Sequence, residues 1–232
     1  MTSAPHPDKF NDRQVARHFD SLADSYDELK RRNGYYYSCL KALIAEAIPP
    51  GRRVLDIGTG TGEILNNLRP SKGVGLDLSR LLIERAREKF PSLEFHAGSF
   101  EDFSPAETFD AILLADVIEH LTAPEKLSGH LRRFSAPGTQ IVLTMANPAW
   151  EPVLELGARL GLKMDEGPHH RISEKQLLAL AEADGFALSS RRGFVLLPIR
   201  VPLLSDWIND GPARLGFLQP LCLIRRYVFV QR

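Results

Sequence analysis

The stretch VLDIGTGTGE, residues 54–63, joins a short apolar strand to a glycine-rich turn and the start of a helix. Glycines at such a turn let the backbone approach a ligand that a Cβ atom would repel. The glycines are Gly58, Gly60 and Gly62, whereas the G-x-G-x-x-G pattern of dinucleotide-binding folds would need a glycine at Glu63. A carboxylate there does not favour a pyrophosphate, so the turn predicts a site for a nucleoside without phosphates. The same spacing argues against a nicotinamide-dependent oxidoreductase.

Two carboxylates accompany this turn. Asp77 ends the next predicted strand, GVGLD at residues 73–77, and it follows Gly58 by 19 residues. A carboxylate at the end of the second strand can accept hydrogen bonds from both ribose hydroxyls of a nucleoside. Asp56, two residues before Gly58, can orient the turn or meet an ammonium group. The turn and its carboxylates together predict a ligand site rather than a simple tight turn.

Strand and helix patterns alternate along most of the chain. This alternation predicts a doubly wound α/β fold, with a mostly parallel seven-stranded sheet and helices on both faces. The last two strands follow each other without a helix of normal length, so we expect the final strand to be antiparallel. The predicted strands cover residues 54–57, 73–77, 93–96, 109–115, 140–145, 186–197 and 221–230. The predicted helices cover residues 11–29, 35–48, 63–68, 79–90, 124–134, 150–160 and 173–183, with Ser79 and Ser173 as N-caps.

The composition excludes several classes of protein. Of the 232 residues, 44% are hydrophobic and 25% are charged, as in ordinary globular enzymes. With only Cys39 and Cys222, a disulfide framework and a four-cysteine zinc site are excluded. No apolar run reaches the roughly 18 residues of a membrane-spanning helix, and the first eight residues lack a secretory pattern. We therefore expect a cytoplasmic protein, and the excess of arginine over lysine is typical of GC-rich bacterial genomes.

The charges are balanced overall but unevenly placed. Lysine plus arginine and aspartate plus glutamate each total 29, so nucleic acid is not an expected partner. Residues 186–232, however, contain seven arginines and only Asp206 and Asp210, a net charge of +5. A basic, apolar C-terminal part predicts either an anionic or membrane-associated acceptor, or surface charge without a partner.

Three segments in order carry a family resemblance: DIGTGTGE (56–63), GVGLDLS (73–79) and FDAILLADVIEHL (109–121). With them the chain resembles the class I S-adenosylmethionine-dependent methyltransferases, most clearly over residues 50–147. The resemblance implies a Rossmann-like fold and S-adenosylmethionine as cofactor, with S-adenosylhomocysteine as its product. Ser99 departs from the pattern, because many relatives have aspartate there to bind the adenine amino group.

The resemblance also implies a cofactor site, residue by residue. The glycines would contact the methionine moiety and sugar, Asp77 the ribose, the 98–100 segment the adenine, and Ala115 with Asp116 the region below the sulfonium. The predicted cofactor-binding residues are Asp56, Gly58, Gly60, Gly62, Asp77, Leu78, Ser99, Phe100, Ala115 and Asp116.

We expect a disordered leader over residues 1–9 and a single methyltransferase domain over residues 10–232. Within the domain, residues 10–50 form a helical cap and residues 51–147 the cofactor-binding core. Residues 148–232 contribute acceptor-side helices, the final strands and an apolar, basic insertion.

The predicted reaction is direct displacement of the methyl group by an oxygen or nitrogen of a small, apolar acceptor. Alignment in a dry pocket supplies most of the rate, and a histidine base would add to it. His120 follows the fourth strand, and His169 and His170 lie in a loop-like stretch. His120 has an alternative role in bracing the following turn. A fold that binds the cofactor without catalysis is a further alternative.

A metal-dependent variant of this reaction is also conceivable. Asp116, Glu119 and His120 stand at positions i, i+3 and i+4 of a helical turn, and His169 or His170 would complete a set of ligands for a divalent ion. The set resembles that of metal-dependent methyltransferases acting on catechol-like quinone precursors or on RNA ribose. The leading prediction nevertheless contains no metal.

Two parts of the chain are expected to cover the acceptor. Tyr26, the tyrosines at 35–37 and the pair Arg31-Arg32 lie in the N-terminal helices, where one arginine could pair with the methionine carboxylate. The apolar stretches 150–160, 197–208 and 215–223 could enclose a lipid-linked acceptor or dock on a partner or a bilayer surface. The oligomeric state stays open.

Overall fold

The computed structural model describes residues 10–159, 167–168, 172–183 and 185–231. Its centre is a seven-stranded sheet with the strand order β3-β2-β1-β4-β5-β7-β6. β7 runs antiparallel to both of its neighbours, and the β1–β5 pairs are parallel. The predicted fold class and the antiparallel final strand are therefore confirmed. The strands are β1 Arg53–Ile57, β2 Lys72–Asp77, β3 Glu94–Ala97, β4 Phe109–Ala115, β5 Ser135–Ala146, β6 Phe186–Phe194 and β7 Ile224–Gln231.

Nine α-helices belong to the described part of the chain. Their caps follow the sequence signals: the Ser79 hydroxyl accepts a hydrogen bond from the Leu82 N–H, and Ser173 and Gln176 form the predicted capping box. None of these helices is long and apolar enough to cross a membrane. They are α1 Asp12–Leu22, α2 Tyr26–Arg32, α3 Gly34–Ala45, α4 Glu63–Asn67, α5 Arg80–Lys89, α6 Pro124–Phe134, α7 Glu151–Arg159, α8 Glu174–Ala183 and α9 Leu204–Asp210.

Two predicted elements end early for local reasons. The helix predicted over residues 11–29 breaks after Leu22, because the Ser25 N–H and hydroxyl both donate to the Leu22 carbonyl and close a turn. The strand predicted over residues 186–197 stops at Phe194, because Val195 adopts a left-handed backbone with φ of 66°. The 11–29 segment therefore forms two helices, α1 and α2, which change direction at residues 23–25.

The core lies on both faces of the sheet. Leu55 and Ile112 belong to one buried cluster, whereas their neighbours Val54 and Leu113 belong to the other. Alternate residues of a strand point to opposite faces, so strands covered on both sides become continuously apolar. This is why the central strands appear in the sequence as short unbroken apolar runs.

Part of the charge of the basic C-terminal segment is compensated by the fold. Two glutamates from earlier in the chain each meet two of its arginines: Glu174 pairs with Arg191 and Arg225, and Glu46 with Arg192 and Arg226. These two glutamates offset two of the five net positive charges of residues 186–232, so the segment keeps a basic character. The anionic or membrane-associated acceptor stays a prediction.

Candidate functional site

The glycine turn after β1 has the backbone that only glycine adopts easily. Gly58, Gly60 and Gly62 have φ values of 76°, 58° and 78°. A Cβ atom on Gly58 would lie 2.3 Å from a methyl carbon of Val117, and one on Gly60 would lie 2.9 Å from the Tyr26 hydroxyl. Glycine is therefore required both by the backbone and by close neighbours. Gly62 faces the ring of Phe95 rather than a ligand.

Asp77 connects the end of β2 to this turn. Its Oδ2 accepts a hydrogen bond from the Gly60 N–H at 2.8 Å, and its Oδ1 accepts one from the Ser79 N–H at 2.9 Å. Desolvation raises the pKa of the Asp77 carboxyl in spite of these two donors. The carboxylate thus lies beside the turn, as the sequence predicts, and its remaining lone pairs can accept from a ligand.

The two carboxylate oxygens of the buried Asp56 differ in their hydrogen bonding. The residue is 1% exposed, and its Oδ2 accepts a hydrogen bond from the Thr59 hydroxyl at 2.7 Å. Its buried Oδ1 has no hydrogen-bond partner among the described residues. Desolvation raises the pKa of Asp56 to about 7, against the Thr59 hydrogen bond and the charge of Lys30. A buried acceptor without a donor fits a ligand that carries an ammonium group.

These residues open into one cavity of about 310 Å³. Gly60 and Gly62, both predicted to bind the cofactor, do not line this cavity. The predicted residues that line the cavity are Asp56, Gly58, Asp77, Leu78, Ser99, Phe100, Ala115, Asp116 and His120.

Lys30 is a cavity residue that the sequence reasoning missed. Its ammonium lies 4.4 Å from the centre of the Tyr26 ring and 5.0 Å from that of Tyr37, and the side chain lines the cavity. Arg31 and Arg32, the cations considered from the sequence, pair instead with Glu28 at the surface. The useful signal is helical spacing, because Lys30 follows Tyr26 by four residues and so shares its face of α2.

Asp116 is held in place by two hydroxyl groups. The Tyr36 hydroxyl donates to its Oδ2 at 2.8 Å, and the Thr144 hydroxyl donates to its Oδ1 at 2.7 Å. Asp116 has a left-handed backbone with φ of 54°, and only residues 118–120 form a short 3-10 turn. Asp116, Glu119 and His120 therefore do not share one helical face. In the part of the chain that is described, no group of three or more His, Cys, Asp or Glu residues could hold a metal ion.

His120 lies in the same cavity wall with a defined tautomer. Its Nδ1 is 3.0 Å from the Pro168 carbonyl oxygen, and its ring meets the edge of Phe19 at 5.5 Å between centres. A carbonyl only accepts, so Nδ1 carries the proton and, in the neutral ring, Nε2 carries the lone pair. His169 and His170 lie outside the described residues.

The far wall of the cavity is apolar. α7 contributes Val153 and Leu154, and the segment between β6 and α9 contributes Pro198 and Ile199. The tyrosines at 36 and 37 line the cavity as expected, whereas Tyr35 accepts a hydrogen bond from Asn209. The site therefore combines a polar end at the glycine turn with an apolar end beneath the C-terminal segments.

The N-terminal helices are fastened over the glycine turn by ion pairs. Asp27 accepts hydrogen bonds from Thr61 at 2.6 Å and from Lys89 at 2.8 Å. Glu63 lies between Lys89 at 2.7 Å and Lys41 at 2.9 Å. Desolvation raises the pKa of Glu63, but the two lysines outweigh it and lower the pKa to about 2. Glu63, at the position of the third glycine of a dinucleotide-binding turn, thus helps to hold α3 over the glycine turn through Lys41.

Known proteins share this sequence and fold. A family model described as a methyltransferase domain matches residues 29–190. The chain is 31% identical over 138 residues to dTDP-3-amino-3,6-dideoxy-alpha-D-glucopyranose N,N-dimethyltransferase of Streptomyces fradiae, covering 56% of this chain and 54% of that protein. It is 26% identical over 206 residues to ubiquinone biosynthesis O-methyltransferase of Hahella chejuensis, covering 81% and 87%. The chain thus spans about half the length of the first relative and most of the second.

A solved structure supports the fold. The structure of a SAM-dependent methyltransferase from Thermotoga maritima superposes with a TM-score of 0.70 at 16% identity, over 94% of this chain and all of that one. The family match extends over more than half of the sequence and includes the glycine turn, Asp77 and the 116–120 turn. The chain belongs to the class I S-adenosylmethionine-dependent methyltransferases.

Proposed function

We propose that this chain transfers the methyl group of S-adenosylmethionine to an oxygen or nitrogen atom of a small, largely apolar acceptor. The observation that carries the proposal is the single cavity, which joins the glycine turn and its carboxylates to an apolar wall and includes His120. The sugar N,N-dimethyltransferase and the quinone-pathway O-methyltransferase among the relatives are consistent with either attacking atom.

The polar end of the cavity is assigned to the cofactor, which supplies an activated methyl group when bound. Asp77 would accept hydrogen bonds from the ribose hydroxyls with the lone pairs that Gly60 and Ser79 leave available. The Oδ1 of Asp56, which has no partner among the described residues, would accept from the ammonium of the methionine moiety, and Lys30 would pair with its carboxylate. Leu78, Ser99 and Phe100 would contact the adenine.

The residues of the 115–120 segment are assigned to the reacting centre. Ala115 and Asp116 would contact the cofactor near its sulfonium, and the Tyr36 and Thr144 hydroxyls keep the Asp116 carboxylate fixed. His120 takes the proton of the attacking hydroxyl or amine on Nε2, because its Nδ1 proton is engaged by Pro168. The apolar wall excludes water and selects an acceptor with an apolar body.

Calorimetry tests the cofactor assignment. The wild type is titrated with S-adenosylhomocysteine beside Asp77→Ala and the control Asp102→Ala, which removes an exposed carboxylate elsewhere. We expect Asp77→Ala to weaken binding about a hundredfold, since two hydrogen bonds to a charged acceptor are lost, and the control to bind normally. Absence of heat with the wild type would overturn the proposal.

Turnover tests the acceptor and base assignments. Release of S-adenosylhomocysteine is measured against phenols, catechols and primary amines, each with and without an apolar tail. We expect the tailed compounds to be preferred, and His120→Gln to lower turnover by about 10²–10⁴-fold without changing affinity for S-adenosylhomocysteine. Full turnover by His120→Gln would exclude the histidine as the base.

A further inference from the structure

Exposed apolar side chains are concentrated at one edge of the molecule. Most of the large apolar residues that are exposed in the described part of the chain lie within residues 153–156 and 199–221. Leu203 is 86% exposed, Phe217 76% and Trp207 67%. Such a concentration marks an interaction surface, whereas scattered exposed leucines do not. We call this set the apolar rim; it consists of Val153, Leu156, Ile199, Leu203, Leu204, Trp207, Leu215, Phe217 and Leu221.

The fold holds the rim outward by means of buried polar anchors. The Asn209 Oδ1 accepts hydrogen bonds from the N–H groups of residues 196 and 197, and its Nδ2 donates to the Leu197 carbonyl. Ser205 accepts from the Val201 N–H and donates to the Ile199 carbonyl, both at 2.7 Å. Because Ser205 and Asn209 face inward, α9 presents Leu204 and Trp207 to solvent.

Leu203, the residue before α9, combines a strained backbone with an exposed apolar side chain. Leu203 has a φ of 67°, a conformation that leucine rarely adopts, and it is the most exposed residue of the rim. A strained residue persists only where the surrounding structure fixes it, and such positions are concentrated at functional sites. Here the strain maintains an apolar side chain in water, which stabilises nothing in the isolated chain.

Two residues of the rim also line the cavity. Val153 and Ile199 both line the cavity, yet they are 57% and 62% exposed. The Trp150 indole donates to the Leu221 carbonyl at 2.8 Å, which brings the start of α7 beside the 215–221 segment. The apolar wall of the cavity therefore continues onto the outer surface without a polar border at these residues.

The charges at the rim do not select a charged partner. Within residues 199–221, Arg200 and Arg214 are exposed, and so are Asp206 and Asp210, so these four charges cancel. On α7, the exposed Glu155 and Arg159 also carry opposite charges. The exposed charges within the two described segments of the rim therefore give no preference for an acidic or a basic protein surface, whereas a neutral lipid surface needs none. Trp207 and Phe217 are of the residue types that favour the boundary between headgroups and acyl chains.

We propose that the apolar rim docks on the surface of a lipid bilayer and turns the cavity mouth toward acceptors dissolved in it. The second half of this statement rests on the proposed function, and the docking itself does not. The rim would insert its side chains at the depth of the headgroups, and no helix among the described residues is long and apolar enough to span the bilayer. Because attraction is apolar, docking should occur on uncharged lipid and change little with salt.

Vesicle binding tests the docking directly. Flotation with phosphatidylcholine vesicles compares the wild type with a rim variant, Leu203→Ser/Trp207→Ser/Phe217→Ser, and with a control, Leu81→Ser/Leu188→Ser, whose leucines are exposed outside the rim. We expect the wild type and control to bind, and the rim variant to bind at least about a hundredfold more weakly. Brominated acyl chains should quench the fluorescence of the wild type more than that of Trp207→Phe. Circular dichroism and affinity for S-adenosylhomocysteine establish that each variant is folded.

The outcomes separate the competing occupants. Failure of the wild type to bind neutral vesicles would overturn the proposal. If it bound only anionic vesicles, lost binding in salt and showed no rim dependence, arginines rather than the rim would be responsible. A concentration-dependent dimer that the rim variant abolishes, without vesicle binding, would assign the surface to a second copy of this chain. Vesicle binding without affinity for S-adenosylhomocysteine would refute the proposed function and leave the docking intact.

Discussion

The two ends of the cavity are built in opposite ways. At the polar end, which we propose as the cofactor end, Asp77 and Asp116 accept hydrogen bonds at 2.7–2.9 Å from defined donors, and the buried Oδ1 of Asp56 has no donor among the described residues. At the apolar end, which we propose as the acceptor end, Val153 and Ile199 contribute apolar surface that is more than half exposed. Directional bonds suit a ligand of fixed chemistry, whereas apolar surface suits a ligand recognised by shape.

This contrast implies that the two ends can be perturbed separately. Substitutions at the cofactor end should change affinity for S-adenosylhomocysteine, because each removes a directed contact or its support. Substitutions at the acceptor end should change turnover with apolar acceptors and leave that affinity unchanged. A coupling between the two would show that the cavity behaves as one unit.

The largest effect is expected from Gly58→Ala. The added methyl group meets Val117 at 2.3 Å and must also accept a φ of 76°, so the turn has to move. We expect affinity for S-adenosylhomocysteine, measured by calorimetry, to fall at least about a hundredfold. Gly51→Ala is the matched control, since Gly51 has a φ of 81° but nothing within 4 Å of the added carbon. It should lower the free energy of unfolding by about 1–2 kcal/mol and leave binding intact. Equal binding by both variants would contradict the assignment of this turn.

A strong pH dependence is expected from Asp56. Burial raises the pKa of its carboxyl to about 7, and the ligand ammonium requires the ionised form. Below that pH the free chain holds a proton that binding must release, so affinity for S-adenosylhomocysteine should fall about tenfold per pH unit. Above it, affinity should level off. Asp56→Asn should bind weakly with no such slope, and a slope that survives the substitution would assign the titration to another group.

Substitution of Lys30 is expected to have an intermediate effect on cofactor affinity. Lys30→Met should weaken binding of S-adenosylhomocysteine about tenfold, since a charged hydrogen bond to the ligand carboxylate is lost. Arg31→Met, the control on the adjacent surface position, should change nothing, because Arg31 pairs with Glu28 instead. Methylthioadenosine lacks the carboxylate, so wild type and Lys30→Met should bind it alike. A difference between them with this ligand would mean that Lys30 acts through the fold.

A smaller effect, on the free energy of unfolding, is expected from the contact between α1 and the start of α5. The Asp20 carboxylate accepts hydrogen bonds from the Ser79 hydroxyl at 2.6 Å and from the Leu81 N–H at 3.2 Å, and Ser79 is fully buried. Asp20→Ala should lower the free energy of unfolding in urea by about 1–2 kcal/mol. Asp24→Ala removes an exposed pair with Arg85 and should change it little. Equal losses would show that the cap is held by charge in general rather than by this buried bond.

The two ends also differ in how far the sequence predicts them. Asp77, the glycine turn and the alternation of strands and helices follow from short-range patterns, because a strand-turn-helix unit positions its own residues. The sequence analysis missed Lys30 and Thr144, and it placed Tyr36 on the acceptor side without its contact to Asp116. These contacts depend on α2, α3 and β5 meeting at the cavity. Such contacts between distant segments leave no local spacing in a single sequence.

The charge count is incomplete for the same reason. Counting charges along residues 186–232 gives +5, but the count does not show that Glu46 and Glu174, from outside that segment, pair with four of its arginines. The 116–120 turn shows the limit of local rules as well. Helical spacing placed Asp116 with Glu119 and His120, whereas the left-handed backbone at Asp116 separates it from their turn.

The smallest effect on cofactor affinity is expected from Ile199→Ser, at the acceptor end. Ile199 is 62% exposed, so the substitution should barely change the free energy of unfolding or the affinity for S-adenosylhomocysteine. It should nevertheless raise the KM for acceptors with an apolar tail, because the side chain lines the cavity mouth. The control Leu188→Ser makes the same kind of change, from an exposed apolar residue to serine, but on β6 outside the cavity lining. It should leave that KM unchanged. Weaker binding of S-adenosylhomocysteine by Ile199→Ser would mean that the apolar wall also supports the cofactor, and the separation of the two ends would then fail.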